Sequence, residues 1–469
     1  MRSLRFVLGL FIVISATFVV AVFADEESKK GEIGKAEIRR MFVGIDSEVE
    51  LADGKKVPAI NFDNAATTPS LIPVMEEVNK QLAYYGSIGR GKGQKSAHST
   101  EIYEKGRLAV LDFFNAPPED YTVFYINSTT DGLNKLASAL ITSEEDVVLA
   151  TRMEHHANDL PWRHRGKTIY VDVDNKGKLR LDDVERLLQE NKVKYVSVTA
   201  ASNVTGYIND VHFIARLAHE NGAQIIVDGA QIVAHRTFNM KGKNTNENID
   251  YFVFSAHKMY APYGGGAVMG LKSELDKHMP QFYGGGIVNV VSDNTETYLS
   301  APERYEAGSP NYPGVVALLK AIGILKQVGF DYIFEHEQVL MRKTIDGLKK
   351  IPGVTLYGDN EYTADRVGIV VFSIAGMSHA DVAQQLADKH GIAVRQGSFC
   401  SHPYVFRLLG ISDNEVTQEM YSENYDMPGI VRVSFGIYNN EEEVDVFLGA
   451  IDKMATENTT NTVQIPPLQ

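Results

Sequence analysis

The sequence has a single cysteine and fewer basic than acidic residues. With one Cys among 469 residues, no disulfide can form within the chain. The 46 Lys and Arg residues are outnumbered by 60 Asp and Glu residues, which gives a formal net charge of −14 at pH 7. Such a chain has no basic field to offset the repulsion of phosphates, and this argues against a nucleic-acid partner.

The composition is otherwise that of an ordinary globular protein. Hydrophobic residues make up 44% of the chain and charged residues 23%. A chain of this length can bury a sizeable core and predicts two or three domains. Changes of pattern divide the sequence into an N-terminal segment, an arm, a large domain, a small domain and a polar tail, at residues 1–24, 25–60, 61–320, 321–455 and 456–469.

The N-terminal segment, residues 1–24, differs in kind from the rest of the chain. Arg2 and Arg5 precede an uncharged run over residues 6–23, and small residues at the end of that run suit a signal peptidase. The run is also close to the length that spans a bilayer. We therefore expect export to the periplasm or the extracellular space, with this segment either cleaved as a signal peptide or kept as a membrane anchor.

Residues 251–266 form the clearest candidate for a functional centre. The run Tyr-Phe-Val-Phe predicts a buried strand, which ends at Ser255 and is followed by Lys258 and a run of glycines. Ligands bind at the carboxyl ends of strands in open α/β sheets, so a desolvated lysine there can attack a carbonyl. A lone lysine after a strand is more often an ordinary surface residue, so its neighbours decide the interpretation.

A second short apolar run ends in Asp228, thirty positions before Lys258. If both runs are strands of one parallel sheet, Asp228 and Lys258 emerge at the same edge. A cofactor with an aldehyde on a pyridine ring needs such a pair, a lysine that binds the aldehyde as a Schiff base and a carboxylate that keeps the ring nitrogen protonated. The sequence therefore predicts pyridoxal 5'-phosphate as the cofactor.

The residues around Asp228 and Lys258 resemble a known superfamily. Asp-Gly-Ala-Gln at 228–231 and Ser-X-His-Lys at 255–258 look like the fold-type I, class V aminotransferases. The other motifs resemble its group II cysteine desulfurase and selenocysteine lyase branch, over residues 61–450. The resemblance implies the fold of type I pyridoxal phosphate enzymes. The alternating strand and helix patterns predict an α/β large domain with a doubly wound, mostly parallel sheet, followed by a smaller α+β domain.

Several motifs resemble the cofactor-binding elements of that family. The segment after Asn127 opens a predicted helix, whose N-terminus suits a phosphate, although helix capping alone would also explain its hydroxyl groups. By resemblance, Gln231 contacts the phenolic oxygen of the cofactor, and His155 stacks on its ring and can move protons. The resemblance assigns the phosphate to Thr129, Thr130, Ser255 and His257, and to Ser309 of the neighbouring subunit, which implies a homodimer.

Further motifs resemble the substrate-binding end of such a site. The segment from Gly391 to Cys400 matches one in which an arginine, here Arg395, precedes a reactive cysteine. Arg432 falls where an arginine clamps a substrate carboxylate, a task suited to guanidinium geometry. Asn203 matches an asparagine that lies against cofactor and substrate.

The reaction implied by the resemblance is the conversion of L-cysteine to L-alanine. Lys258 would take the α-proton, and the Cys400 thiolate would accept the substrate sulfur as a persulfide before passing it to an acceptor protein. His155 and His156 are adjacent, with no third ligand at metal spacing, so we expect no metal site.

Some departures from the family pattern leave the reaction open. Ser398 and Phe399 replace two histidines that usually precede the cysteine, and an acidic insert of residues 417–427 follows it. A pyridoxal phosphate-dependent aminotransferase, epimerase or C–S lyase of another small amino acid would keep every cofactor residue. A non-catalytic binding protein on the same fold is the alternative of a different class.

Overall fold

The computed structural model of the chain describes residues 35–89, 91–362, 365–416, 420 and 427–463. The predicted signal peptide or anchor, residues 1–24, lies outside the described residues. So do most of the acidic insert after Cys400 and the end of the expected tail.

A seven-stranded sheet forms the centre of the large domain in the described part of the chain. Six strands run parallel, and the strand Gly266–Leu271 is antiparallel to both of its neighbours. The strands follow one another across the sheet in the order Tyr121–Ile126, Gly266–Leu271, Tyr251–Ser255, Gln224–Asp228, Val193–Thr199, Val147–Thr151 and Lys167–Val171. The prediction of a doubly wound, mostly parallel α/β sheet is therefore confirmed.

The central strands are apolar on both faces because helices cover both sides of the sheet. Every residue of Tyr251–Ser255 is buried, as expected for a strand within a parallel sheet. The described helices span Lys35–Arg40, Ile72–Leu82, Gln94–Phe113, Thr129–Leu140, Leu160–Arg163, Leu181–Glu190, Val211–Glu220, Lys272–Leu275, Tyr312–Val328, Phe330–Leu348, His379–His390, His402–Leu408 and Glu441–Val463.

The small domain contains a four-stranded antiparallel sheet with its own hydrophobic core. Its strands follow one another in the order Val354–Tyr357, Ile369–Ile374, Ile430–Ser434 and Arg395–Gly397. The arm also joins this domain, because Ile60–Asn61 pairs in parallel with Ile392–Ala393. Two hairpins complete the strands, Glu48–Glu50 with Lys56–Pro58 and Val288–Ser292 with Thr295–Tyr298.

The helix Tyr312–Val328 shows where the two domains meet. It packs on Ile72–Leu82 and Gln94–Phe113 in the large domain and runs through residue 321, the predicted boundary. The chain leaves this helix at Gly329, whose φ of 82° suits a residue without a Cβ, and enters the small domain in Phe330–Leu348. The helix Tyr312–Val328 is buried on nearly all sides, so its sequence gives no sign of a boundary.

Two other segments bear on the expected organisation. The helix Glu441–Val463 continues well into residues 456–469, which the sequence analysis assigned to an unpatterned tail. Among the described helices, none is both long and apolar enough by itself to cross a membrane. Tyr312–Val328 and Phe330–Leu348 reach that measure only when taken together, and they are bent by 77° at their junction.

Candidate active site

A cleft of about 850 Å³, including its open mouth, lies at the carboxyl ends of the parallel strands, where the two domains meet. The cleft brings together all but one of the predicted site residues, namely Thr129, Thr130, His155, Asn203, Asp228, Gln231, Ser255, His257, Lys258, Arg395, Cys400 and Arg432. Ser309 is the exception, because it lines a separate groove beside Asn127 and Asp131.

The sheet accounts for the proximity of the predicted central pair. Asp228 is the last residue of its strand and pairs with Val253 in the neighbouring parallel strand. That second strand ends at Ser255, and a short 3₁₀ turn, Ala256–Lys258, carries the lysine over the strand end. Two residues thirty positions apart are therefore placed at one edge of the sheet.

Burial sets the charge states of Lys258 and Asp228. It lowers the pKa of Lys258 to about 8, against the opposing effect of the Asp228 charge. Burial raises the pKa of Asp228, while a hydrogen bond of 2.9 Å from the Ala230 N–H opposes that shift. The amine is thus partly neutral near pH 8, and a buried carboxylate faces the same cleft.

His155 is held as a neutral ring. Its Nδ1 accepts a hydrogen bond of 3.0 Å from the Ala157 N–H, which leaves the ring proton on Nε2. Burial lowers its pKa to about 3, and the positive charge of Lys258 acts in the same direction. An uncharged aromatic plate beside the lysine suits stacking on a flat ring.

Hydroxyl and amide groups line the opposite end of the cleft. Ser128 caps the helix Thr129–Leu140 by accepting from the Asp131 N–H. The Thr129 N–H donates to Ser255 Oγ at 2.7 Å, and the two side-chain hydroxyls are also 2.7 Å apart. These groups, with the helix N-terminus, suit a phosphate dianion.

His257 and Thr130 complete that end of the cleft. Burial lowers the pKa of His257 to about 4, and the positive charge of Lys258 adds to the shift. The Nδ1 of His257 is 3.1 Å from Thr67 Oγ1, and Thr130 is exposed at the cleft wall. A neutral imidazole can donate one hydrogen bond to a phosphate oxygen.

Gln231 has a buried acceptor without a partner. Its Nε2 donates to the Ala65 carbonyl oxygen at 2.7 Å, while its Oε1 is buried and makes no hydrogen bond. An unsatisfied buried acceptor costs free energy until a ligand supplies a donor. A phenol group of a bound ring would supply one.

Arg432 is a buried cation with one donor free. Its Nη2 donates to Asp63 Oδ1 at 2.8 Å and its Nη1 donates to the Asn203 carbonyl oxygen at 2.8 Å, whereas its Nε has no partner. The ring of Phe399 lies 4.8 Å from the guanidinium carbon. Arg395 is half exposed and approaches the other oxygen of Asp63, Oδ2, at 3.7 Å.

Cys400 is exposed and lies in a tightly held loop. Phe399 and Cys400 have φ of 51° and 55°, in the left-handed region that residues with side chains seldom occupy. The His156 N–H donates to the Cys400 carbonyl oxygen at 2.7 Å. The fold therefore fixes the loop through contacts with the large domain.

The side chain of Asn203 forms hydrogen bonds with the residues on both sides of Cys400. Its Nδ2 donates to the Phe399 carbonyl oxygen at 2.8 Å, and its Oδ1 accepts from Ser401 Oγ at 3.0 Å. By resemblance, Asn203 was expected to lie against cofactor and substrate. The structure shows that Asn203 also holds the Cys400 loop in place through these two hydrogen bonds.

Sequence reasoning missed three residues of this site. Asp63, whose carboxylate contacts both arginines, was not among the predicted site residues. Phe399 was noted only as a departure from the family pattern. Glu154 gave no usable signal, because a glutamate beside a histidine is an ordinary sequence feature. In the part of the chain that the structure describes, no group of three His, Cys, Asp or Glu residues could hold a metal ion.

Comparisons with known proteins agree with one another. The family described as "Aminotransferase class-V" matches residues 60–447. A probable cysteine desulfurase of Halalkalibacterium halodurans is 32% identical over 426 residues, 89% of this chain and 97% of that protein. A cysteine desulfurase of Enterobacter sp. is 33% identical over 400 residues, 83% of this chain and 91% of that protein.

Solved structures give the same result. The apo cysteine desulfurase of Thermococcus onnurineus is 31% identical, with a TM-score of 0.76, and the match covers 85% of this chain and 95% of that one. The cysteine desulfurase CsdA of Escherichia coli, in its S-sulfonic acid form, is 27% identical, with a TM-score of 0.75. That match covers 90% of this chain and 98% of the CsdA chain.

Proposed function

Because this chain belongs to the aminotransferase class-V family, we propose that it is a pyridoxal phosphate-dependent cysteine desulfurase. It converts L-cysteine to L-alanine and takes the sulfur onto Cys400 as a persulfide, which an acceptor protein then consumes. One observation carries this assignment: the only cysteine of the chain shares a cleft with a buried lysine, a buried aspartate and two arginines.

The residues present fit the cofactor. The hydroxyls and N–H groups around Thr129 suit its phosphate, the free acceptor of Gln231 suits its phenol, and the buried Asp228 suits a protonated ring nitrogen. When bound, pyridoxal phosphate withdraws electrons from the substrate and so weakens bonds at its α-carbon. Lys258 would hold the aldehyde, since its lowered pKa favours the nucleophilic neutral amine.

The same residues have defined tasks during turnover. With cofactor and substrate bound, Lys258 Nζ would remove the proton from the α-carbon of the substrate and return a proton there before alanine leaves. Asp228 would keep a proton on the ring nitrogen, because a buried carboxylate is most stable beside a cation. The neutral ring of His155 would cover one face of the cofactor and exclude water from it.

Cys400 performs the sulfur transfer. Its thiolate Sγ attacks the sulfur of the substrate, so an S–S bond forms as the C–S bond breaks. The electron pair of the broken bond stays with the substrate carbon, which takes up a proton and leaves as alanine. The arginines that share the cleft with Cys400 attract the negatively charged carboxylate of the substrate.

Arg432 and Arg395 bind the substrate carboxylate. Arg432 presents its unpartnered Nε, while Asp63 holds its Nη2 in place. Arg395 is more exposed, so it meets the substrate nearer the mouth of the cleft. The two cations select an amino acid whose carboxylate lies on the Cys400 side of the site.

A product assay tests the function. Purified protein with added cofactor and a thiol reductant should release sulfide and alanine in equal amounts from L-cysteine. In Cys400→Ala and Cys400→Ser, turnover should fall by about a hundredfold or more, because the chain has no other cysteine that can take the sulfur. Cofactor binding should stay unchanged. The serine variant keeps the size and polarity of the side chain and serves as the matched control.

Other results would identify a different activity. Turnover that survives in Cys400→Ala would contradict the desulfurase assignment and favour a C–S lyase. Conversion of other amino acids without sulfide release would indicate an aminotransferase or an epimerase. A wild-type protein that binds no cofactor would point to a non-catalytic binding protein.

We also propose that the enzyme is a homodimer with shared sites. Ser309, which the family pattern assigns to the phosphate of the neighbouring subunit, lies in a groove apart from the cleft. Near it, the hairpin of Val288–Ser292 leaves Val290 and Val291 more than half exposed, and a second subunit would cover them. Mixing Lys258→Ala and Ser309→Ala chains should regenerate one intact site per dimer, whereas a monomer at micromolar concentration in sedimentation would contradict the dimer.

Export remains our proposal for the first 24 residues, on the basis of their two arginines and uncharged run. Fractionation of a bacterial host that expresses the full chain should place the protein in the periplasm, the medium or the membrane. Recovery from the cytoplasm with an intact N-terminus would contradict it.

A further inference from the structure

Glu154 is a buried carboxyl group without a task in the mechanism described above. Its side chain accepts three hydrogen bonds and is almost completely enclosed. Thr151 Oγ1 and the Thr199 N–H donate to its Oε1 at 2.6 and 3.1 Å, and Asn158 Nδ2 donates to its Oε2 at 2.6 Å. Because all three contacts are donors, the pattern suits an ionised carboxylate.

The orientation of Asn158 is fixed from its other side. Its Oδ1 accepts from Trp162 Nε1 at 3.2 Å and from Ser197 Oγ at 2.7 Å. Only the amide NH₂ of Asn158 can therefore face Glu154. The buried network thus specifies an acceptor at position 154.

Glu154 lies one strand away from Asp228. Thr199, whose N–H donates to Glu154, is the residue that pairs with Asp228 in the register of two neighbouring strands. Burial raises the pKa of Glu154 to about 8, and the negative charge of Asp228 acts in the same direction. In the ranges that the structure describes, no ion pair neutralises Glu154, whereas the charge of Lys258 offsets that of Asp228.

We propose that Glu154 is a positioning residue that acts through Asp228 as a second negative charge for the protonated ring nitrogen of the cofactor, a role that rests on the proposed function. A cation bound at Asp228 relieves the repulsion between the two carboxylates. Glu154 therefore strengthens the binding of a ring with a protonated nitrogen more than that of a ring without one. Glu154 also lies immediately before His155. The same hydrogen-bond network therefore holds the carboxylate of Glu154 and the histidine expected to stack on the cofactor ring.

The test compares two ligands and three proteins. The ligands are pyridoxal phosphate and its deaza analogue, in which a CH group replaces the ring nitrogen. The proteins are the cofactor-free wild type, Glu154→Gln and the double variant Glu154→Gln/Asn158→Asp. Dissociation constants come from absorbance titration at about pH 9, above the Glu154 pKa of about 8, where its carboxylate is charged. Thermal unfolding of each cofactor-free protein reports on its integrity.

The double variant is the matched control for hydrogen bonding. A glutamine at 154 would place its NH₂ against the NH₂ of Asn158, whereas an aspartate at 158 accepts that group and still accepts from Trp162 and Ser197. All the buried donors stay satisfied. The negative charge moves from the side chain that contacts Thr199, the strand partner of Asp228, to the side chain that contacts Ser197, the strand partner of Ile226. This variant therefore separates the position of the charge from the packing of the network.

We expect Glu154→Gln to bind pyridoxal phosphate about tenfold more weakly, the order expected for one unit charge roughly 12 Å away at an effective dielectric constant near 20. Its affinity for the deaza analogue should stay within about twofold of the wild type. The double variant should have the same unfolding temperature as the wild type. It should still bind pyridoxal phosphate more weakly than the wild type does, with its affinity for the deaza analogue unchanged.

The proposed charge role of Glu154 would be overturned if Glu154→Gln lost equal affinity for both ligands, or if the double variant recovered full affinity for pyridoxal phosphate. Either result would leave only a packing role for this side chain. Unchanged affinity in every protein would also overturn it. A wild type that binds neither ligand would instead refute the cofactor assignment itself, and the inference with it.

Discussion

Lys258, His155 and His257 share a cleft in which burial lowers the pKa of each side chain. For the two histidines the result is a neutral ring over the whole physiological range. For Lys258, with a pKa of about 8, the result is an amine whose charge changes near the pH at which enzymes are assayed. The reactivity of this residue therefore depends on pH more steeply than that of an ordinary lysine.

The rate at which the cofactor-free protein captures pyridoxal phosphate covalently should follow this titration. Only the neutral amine attacks the aldehyde, so the rate should rise with pH through about 8 and level off above it. At pH 7 it should be about a tenth of the plateau, since roughly one amine in ten is then neutral. Stopped-flow absorbance measures the rate, with free Nα-acetyl-lysine as the control.

The control amine should show no plateau below about pH 10, the ordinary pKa of lysine. A protein profile that also rises steadily to pH 10 would show that Lys258 is not desolvated. Lys258→Ala should show no covalent capture at any pH, which confirms that the signal comes from this residue.

At the scale of elements, the loop from Ser398 to Ser401 connects the two halves of the site. Its two left-handed residues are held by Asn203 and by the His156 N–H, while the Asn203 carbonyl holds Arg432. One asparagine thus fixes the distance between the reactive thiol and the cation expected to bind the substrate carboxylate.

Replacement of Asn203 by aspartate should uncouple these two groups. The carboxylate cannot donate to the Phe399 carbonyl and would repel it, so the loop should lose its fixed position. We expect persulfide formation on Cys400 to slow by about tenfold or more, because small misplacements are costly in catalysis. Mass spectrometry of single-turnover samples measures the persulfide.

Ser401→Ala is the matched control for the loop, since it removes only the weaker of the two Asn203 contacts. It should slow persulfide formation less than Asn203→Asp does. Equal rates in Asn203→Asp and the wild type would show that the loop does not depend on this side chain.

The sequence predicted the elements that follow regular patterns. Short apolar runs and their turns located the strands of Asp228 and Lys258, and a shared edge followed because parallel strands point the same way. The hydrogen bond from Asn203 to Phe399 joins residues 196 positions apart and depends on the positive φ values of Phe399 and Cys400. Neither feature produces a periodic pattern in the sequence. Glu154 could not be predicted for a similar reason, because the tertiary fold decides whether a charged residue is buried.

At the scale of the whole molecule, Arg366 joins the two domains. It is buried, and its guanidinium donates to the carbonyl oxygens of Thr205 in the large domain and of Asp359 and Ile369 in the small domain, at 2.7–2.8 Å. Neutral carbonyl groups, rather than a carboxylate, satisfy this charge. Together with the contacts of Asn203 to Phe399, Ser401 and Arg432, this side chain holds the Asn203 loop against the small domain.

Arg366→Met should destabilise the protein by about 3 kcal/mol, because three buried acceptors lose their donor. The midpoint of urea unfolding, followed by far-ultraviolet circular dichroism, measures the loss. Arg216→Met is the control, since Arg216 forms an ion pair with Glu220 at the surface and should change stability by less than about 0.5 kcal/mol. Equal effects of the two substitutions would refute a role for Arg366 at the junction.

The exposed position of Cys400 has a consequence for oxidative damage. A cysteine sulfenic acid is normally rescued when a second thiol of the same protein condenses with it. This chain has no second thiol, so an oxidised Cys400 can return to the thiol only through an external reductant or a mixed disulfide with another molecule. The lifetime of the active enzyme in an oxidising compartment is therefore set by the supply of small thiols around it.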